Sequence, residues 1–143
     1  MKKFGIIAAM QEEMQEIKKI MKGIEQQKIY ELTFIKGMIN ESEVVLVEAG
    51  VGKVNAARTT QVLIDNFNVD AIINVGSAGA ANDELDIGDI VIGKYLVQHD
   101  FDITAFGHKR GYISNVGESI KSDSKLMERF EEIISKIGEI MYI

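Results

Sequence analysis

The chain has 143 residues, 46% of them hydrophobic and 27% charged, with a formal net charge of −6. This composition is typical of one globular core, so we expect a single domain over residues 1–143, and it excludes a disordered chain. The lack of cysteine excludes disulfide frameworks, zinc fingers, iron–sulfur sites and thiol catalysis. Acidic residues outnumber basic ones and no block of basic residues stands out, which argues against binding to a nucleic-acid backbone.

The N-terminal segment predicts a buried strand that leads directly into a helix. Phe4–Ala9 is a continuous apolar run, typical of a strand covered on both faces. Lys2 and Lys3 before it faintly resemble a secretory signal, but no small-residue cleavage site follows, so we expect a cytoplasmic protein. The helix is indicated by large apolar residues at helical spacing: Met10, Met14, Ile17 and Met21.

The next segment predicts an antiparallel hairpin and a second helix. Tyr30, Leu32 and Phe34 alternate with polar residues, and Val44–Val47 is a second apolar run, with a turn at Asn40–Ser42 between them. The glycines of Gly50–Lys53 then end the strand. The second helix is indicated by the spacing of a further set: Val54, Ala57, Gln61 and Ile64, with Val62 and Leu63 beside them.

The remaining segments continue the alternation of strands and helices. Val69–Val75 and Ile90–Val97 are predicted strands with a turn at Leu85–Asp89 between them, and Gln98–Val116 is predicted to be a long loop. Ser122 or Asp123 caps a last helix, which ends at Gly138 and carries an apolar stripe: Leu126, Phe130, Ile133, Ile134 and Ile137. The pattern as a whole predicts an α/β fold, with a mixed twisted sheet flanked by helices.

The last five residues, Glu139–Ile143, are expected to open another buried strand. A chain that stops there stops in mid-pattern. We therefore expect a fragment of a longer protein.

Two glycine-containing segments follow predicted strands. Gly50–Lys53 fails the Walker A pattern and the dinucleotide fingerprint, so the pattern favours a strand-to-helix turn. Gly76–Gly79 lies where α/β sheets bind ligands, beyond the carboxyl end of a strand. Its small residues let a ligand approach the backbone, and Ser77 adds a hydroxyl, although close packing would explain the same residues equally well.

Titratable residues follow the first strand and lie in the long loop. Glu12 and Glu13 come just after the strand end, where a carboxylate can enter the same crevice as Ser77; two solvated acids in a first helical turn are the alternative. The loop's acids and histidines lack the spacing of metal ligands, so we expect no metal: His99, Asp100, Asp102 and His108. Phe106, an apolar ring in that polar loop, either anchors the loop or meets a ligand or partner.

Five segments, in this order and at this spacing, carry a resemblance to a known family: Gly5–Met14, Gly50–Ala57, Ile73–Gly79, Asp86–Val91 and His99–Gly107. Together they resemble the bacterial 5′-methylthioadenosine/S-adenosylhomocysteine nucleosidases of the purine nucleoside phosphorylase superfamily. The resemblance implies a nucleoside phosphorylase-like fold. It also implies an enzyme that hydrolyses the N-glycosidic bond of these nucleosides and releases adenine and the thioribose.

The resemblance also implies roles for individual residues. Glu13 would position and activate the attacking water. Phe106 matches a phenylalanine that a neighbouring subunit lends to the 5′-alkylthio pocket, so a homodimer is implied; no cofactor is expected. The remaining residues would line the purine and ribose side of the pocket: Ala9, Met10, Val51, Ser77, Ala78 and Gly79.

In the family, an aspartate that protonates adenine and a glutamate that clamps the ribose hydroxyls belong to the C-terminal third. This chain ends before them and before strands and a helix that close the sheet. Because loss of a general acid costs typically about 10²–10⁴-fold in rate, an inactive fragment that only dimerises or binds a purine is one alternative. Another superfamily enzyme, a futalosine hydrolase or a nucleoside phosphorylase, is the other, although Glu13 would repel the phosphate that a phosphorylase needs.

Overall fold

The computed structural model describes residues 2–134, 136, 141 and 142. The chain divides into two compact units, Met1–Gly79 and Ala80–Ile143. Whether they form the single domain expected from the sequence stays a prediction. Within the described residues, no helix is both long and apolar enough to cross a membrane.

The first unit is a five-stranded mixed sheet with two helices. The elements, in chain order, are β1 (Lys3–Ala8), α1 (Gln11–Ile20), β2 (Lys22–Ile29), β3 (Leu32–Ile39), β4 (Ser42–Glu48), α2 (Lys53–Phe67) and β5 (Ala71–Val75). The strands follow the spatial order β2-β3-β4-β1-β5. β1 is parallel to both β4 and β5, whereas β3 is antiparallel to both β2 and β4. The α/β fold with an inserted antiparallel hairpin is thereby confirmed.

Each helix of this unit covers one face of the sheet. Successive side chains of a strand point to opposite faces, so Ile7 of β1 packs in one core with Leu63 of α2, and Ile6 packs in the other core with Met14 of α1. Phe34 of β3 is fully buried on the α2 side. Because both faces of the central strands are covered, β1 and β4 have continuous apolar sequences.

Two features of the hairpin region differ from the sequence prediction. β2 was not predicted, because it is an exposed edge strand with a largely polar sequence. Tyr30, predicted in a strand, lies in the two-residue turn between β2 and β3, with a φ of +52° and its side chain exposed. The turn at Asn40 is confirmed, with a φ of +50°, a conformation that asparagine tolerates well.

The second helix forms where it was predicted, but it buries a different face. Val54 is 82% exposed and Ile64 is 49% exposed, although both belong to the spacing that indicated the helix. The helix residues that are buried are Thr59, Val62, Leu63 and Phe67. The sheet, not the spacing of apolar residues alone, decides which face of α2 is covered.

The second unit consists of short elements. The elements are β6 (Val91–Ile92), β7 (Tyr95–Leu96), a 3₁₀ helix (Thr104–Phe106) within the predicted loop, β8 (Ile120–Lys121), α3 (Ser124–Ile134) and β9 (Met141–Tyr142). β6 pairs parallel with β9, and β7 pairs antiparallel with β8. The single strand predicted at Ile90–Val97 is therefore wrong, since Gly93 and Lys94 divide it into two strands with different partners.

The remaining sequence predictions concern the N-cap of α3, the end of this helix and the strand predicted after it. The Leu126 N–H donates to Asp123 Oδ1 at 2.9 Å, so Asp123 caps the helix, while the Ser122 hydroxyl donates to the Gly93 carbonyl at 2.6 Å. The predicted stop at Gly138 lies outside the described residues. β9 confirms a strand within the last five residues.

Candidate active site

Three neighbouring parallel strands end at the same edge of the first unit's sheet. Ala8, the last residue of β1, is aligned with Glu48 of β4 on one side and with Val75 of β5 on the other. The segments that leave these strands therefore start side by side, which is where α/β sheets bind ligands. The segments are Ala9–Met10 after β1, Ala49–Val51 after β4 and Gly76–Gly79 after β5.

The carboxylate of Glu13 joins two of these strand ends. Its Oε2 accepts hydrogen bonds from the backbone N–H groups of Ala9 and Met10, both at 3.0 Å. Its Oε1 accepts hydrogen bonds from the Ser77 N–H at 2.9 Å and from the Ser77 hydroxyl at 3.1 Å. A carboxylate has about four acceptor positions, and all four are occupied here.

Local sequence explains half of this arrangement. Met10 is the N-cap of α1 and Glu13 is the third residue of the helix, so the Glu13 carboxylate can reach back to the Met10 N–H. This is the glutamate half of a capping box, and the helix dipole also favours a negative charge in the first turn. The other half is tertiary, since Ser77 lies 64 residues further along the chain.

The four hydrogen bonds lower the pKa of Glu13 below its ordinary value. The Ser77 backbone N–H has the largest effect and the Met10 N–H the next, while desolvation opposes them. The site therefore holds a carboxylate that is ionised at neutral pH. Glu12, the adjacent acid, is exposed and makes none of these hydrogen bonds.

The structure gathers some of the predicted site residues and leaves others apart. Hydrogen bonds connect Ala9, Met10, Glu13 and Ser77. Val51 follows the neighbouring strand end and is 71% exposed. Ala78 and Gly79 continue from Ser77 and are exposed. Their contacts with a substrate stay predictions.

Two residues at this edge were not predicted as site residues. A Cβ atom added to Gly76 would lie 3.0 Å from Oε1 of Glu13, so this glycine leaves the space in which the carboxylate sits. The Asn55 side-chain amide donates to the Val51 carbonyl at 2.8 Å and fixes the turn after β4. The sequence signal was the position of each residue: Gly76 is the first residue of the Gly76–Gly79 segment, and Asn55 follows Gly50–Lys53 closely.

Phe106 belongs to the second unit. It ends the 3₁₀ helix and is 81% exposed, so its ring does not anchor the loop. The loop itself is ordered by Asp102, whose Oδ1 accepts a hydrogen bond from the Thr104 N–H at 2.9 Å. That bond lowers the pKa of Asp102, with a smaller contribution from the charge of Arg110.

The acids and histidines of the loop do not form a metal centre. Among the described residues, no three histidine or acidic side chains are placed to hold a metal ion. His108 instead stacks on Tyr112, with their ring centroids 4.2 Å apart.

A cleft of about 660 Å³ lies beside α1 in the first unit and extends to Ala49 and Gly50, which follow β4. Its walls come from α1, the β2–β3 turn and the end of β4, including Gln15, Glu31 and Glu48, and Glu13 does not line it. We place the candidate site at Glu13 because four hydrogen bonds from two strand ends converge on its carboxylate.

Comparisons with known proteins found a matching family and similar sequences. A family profile described as the phosphorylase superfamily matches residues 3–142. The chain is 42% identical over 143 residues to a 5′-methylthioadenosine/S-adenosylhomocysteine nucleosidase of Staphylococcus haemolyticus, covering 96% of this chain and 63% of the relative. It therefore spans less than two thirds of the length of that protein.

Solved structures show the same fold. The S-adenosylhomocysteine nucleosidase of Streptococcus pyogenes, in complex with 5-methylthiotubericidin, matches with a TM-score of 0.94 and 35% identity, covering 99% of this chain and 60% of that one. The futalosine hydrolase of Helicobacter pylori matches with a TM-score of 0.91 and 30% identity, covering 99% and 60%. The chain is thus similar to both kinds of hydrolase, and its identity to the two nucleosidases of Staphylococcus haemolyticus and Streptococcus pyogenes is higher than its identity to this futalosine hydrolase.

Proposed function

Since the chain belongs to the phosphorylase superfamily, we propose that it carries the water-activating half of an N-glycosidic hydrolase. The proposed substrates are 5′-methylthioadenosine and S-adenosylhomocysteine, and the products are adenine and the thioribose. The observation that carries the proposal is the Glu13 carboxylate, held ionised at the ends of β1 and β5 by four donors. Similarity to named nucleosidases supports the substrate class.

The chemistry requires an anion at such a place. An N-ribosyl bond breaks through an oxocarbenium-like transition state, in which positive charge develops on the sugar while the bond electrons leave with adenine. A fixed carboxylate stabilises that charge and orients the attacking water. As the water oxygen bonds to C1′, a water proton passes to Glu13, and the departing adenine nitrogen takes up a proton from solvent.

The hydrogen bonds of Glu13 indicate how it would accept a water. Three of its donors are backbone N–H groups, which the fold holds in place, and the fourth is the Ser77 hydroxyl. A hydroxyl rotates about its own bond, so Ser77 can turn away and release one acceptor position on Oε1. Water would take that position. The remaining three bonds would keep the carboxylate aligned.

The same geometry disfavours phosphorolysis. A phosphorylase must hold an anionic phosphate where the water attacks, and it needs basic groups to do so. In the described part of the chain, the side chains that hydrogen-bond to each other at the ends of β1 and β5 are those of Glu13 and Ser77. Only Glu13 of these two is charged, and its charge is negative. We therefore favour water over phosphate as the acceptor.

The proposal includes a homodimer in which Phe106 is lent to the neighbouring site. Its support is the exposure of an aromatic ring on an ordered loop, because a large exposed ring commonly marks a contact with a ligand or partner. A cytoplasmic location is part of the same proposal.

Adenine release tests the proposed activity directly. The chain is incubated with methylthioadenosine in phosphate-free buffer and, in parallel, with added phosphate. We expect release that does not depend on phosphate and a free thioribose as the second product. Release only with phosphate, or release from futalosine in preference to methylthioadenosine, would favour another enzyme of the superfamily. No release from any of these nucleosides would refute hydrolysis by this chain.

A further inference from the structure

Gly76 lies at the carboxyl end of β5, directly before Ser77. A Cβ atom built on it would lie 3.0 Å from Oε1 of Glu13, 3.3 Å from Cδ and 3.5 Å from Oε2. The three atoms nearest to this Cβ position therefore all belong to the Glu13 carboxylate. No other side chain is as close to this position in the described part of the chain.

The backbone itself does not require glycine at this position. The φ angle of Gly76 does not lie in the left-handed region that favours glycine, so an alanine could adopt this backbone conformation without strain. The space taken by the Glu13 carboxylate is what a methyl group would invade. That carboxylate cannot withdraw freely, because four hydrogen bonds hold its two oxygens.

We propose that Gly76 is a positioning residue for Glu13: its missing side chain lets the carboxylate reach the end of β5 and accept both hydrogen bonds from Ser77. A methyl group at residue 76 displaces Oε1 first, and Oε1 is the oxygen that Ser77 binds. The contacts with Ala9 and Met10, on Oε2, are affected less. The catalytic consequence rests on the proposed function, whereas the placement of the carboxylate does not.

The first test is the titration of Glu13 in Gly76→Ala, followed by the ¹³C NMR signal of its carboxyl carbon. The Ser77 backbone N–H is the largest cause of the lowered pKa of Glu13, so we expect that pKa to move up toward the ordinary glutamate value. Gly79→Ala is the matched control, since a Cβ there meets nothing within 4 Å and should leave the Glu13 pKa unchanged. An unchanged pKa in folded Gly76→Ala would overturn the proposal.

A second measurement keeps the proposal falsifiable if Gly76→Ala fails to fold. The same substitution is made in a Glu13→Ala background, where no carboxylate remains for the methyl to meet. We expect Gly76→Ala to lower the urea midpoint of the wild type, or to prevent folding, and to have little effect in that background. Where both single variants fold, a double-mutant cycle measures the coupling, and where Gly76→Ala does not fold, we expect Glu13→Ala to restore folding. An equal effect in both backgrounds would overturn the role of Glu13.

Activity gives the third readout. Misplacing a catalytic group by about 1 Å can cost about 10²-fold in rate. The added Cβ requires Oε1 of Glu13 to move by a few tenths of an ångström, so we expect the kcat for adenine release in Gly76→Ala to fall by less than that factor, roughly 10-fold. Gly93→Ala, whose Cβ would make an ordinary 3.5 Å contact with Leu96, should leave it unchanged. If the wild-type chain releases no adenine, the proposed function fails while the titration and the cycle still decide the positioning role.

Discussion

Replacing Glu13 by glutamine tests the proposed chemistry most directly. The amide has nearly the same shape as the carboxylate but no charge, and one of its two acceptor oxygens becomes an NH₂ donor. In the structure each carboxylate oxygen faces two donors, so the amide must set its NH₂ group against two of them in either orientation.

The two orientations differ in what they leave unpaired. With the NH₂ toward Ser77, the hydroxyl of Ser77 can turn and accept a hydrogen bond, so only the Ser77 N–H loses its partner. With the NH₂ toward α1, the N–H groups of Ala9 and Met10 both lose theirs. The first orientation is therefore favoured. The helix start is retained, and we expect the fold to stay intact.

The expected loss is in catalysis. Removal of a general base typically costs about 10²–10⁴-fold, and we expect adenine release from methylthioadenosine to fall by that factor in Glu13→Gln. Glu12→Gln is the matched control, because it makes the same chemical change one residue away on an exposed side chain outside the hydrogen-bonded group. Rates are measured in phosphate-free buffer at neutral pH, where the lowered pKa keeps wild-type Glu13 ionised.

Two results would refute this reasoning. Turnover by Glu13→Gln within a few-fold of the wild type would show that the carboxylate neither activates water nor stabilises the sugar cation. An equal loss in Glu12→Gln would show that the effect comes from the charge of the helix start in general. Circular dichroism of both variants checks that the fold is unchanged.

Two further predictions follow from the ionised carboxylate and the exposed ring. Because the folded-state pKa of Glu13 is lowered, its contribution to stability is present above the ordinary glutamate pKa of about 4.3 and is lost as the pH falls through the lower folded value. The urea midpoint of the wild type should therefore fall more than that of Glu13→Gln on acidification, and parallel curves would contradict this. Phe106→Ala should change the free energy of unfolding by no more than about 0.5 kcal/mol, because the ring is exposed. In equilibrium binding it should weaken methylthioadenosine about 10-fold more than adenine, from the apolar area lost, and equal weakening of both would defeat the proposed pocket contact.

Several features of this chain follow from short-range sequence. The continuous apolar run of β1, the helix that follows it and the acidic first turn are all encoded within about twenty residues. The contacts of Glu13 with Ala9 and Met10 are of this kind, since they span four and three residues. The Asp123 cap of α3 and the turn at Asn40 are also local, because a side chain or a single φ angle defines each.

Errors arose where the partner of a segment decides its structure. β2 is a strand because β3 pairs with it, although its own sequence is polar. α2 buries Leu63 and exposes Val54 because of where the sheet lies, and both are apolar residues at helical positions. The segment Ile90–Val97 divides because its first half pairs with a strand about 50 residues further on and its second half with a strand about 25 residues further on. Local patterns carry no information on such distant partners.

The sequence by itself thus determined the α/β class, the strand ends and the presence of an acid and a small-residue segment next to them. Only the tertiary structure decided that these two features meet. The parallel alignment of β1 with β5 brings Ser77 to Glu13 across 64 residues, and Gly76 leaves the space for the contact. A hydrogen bond between distant residues depends on strand register, which is set by the packing of the whole sheet and not by the residues that make the bond.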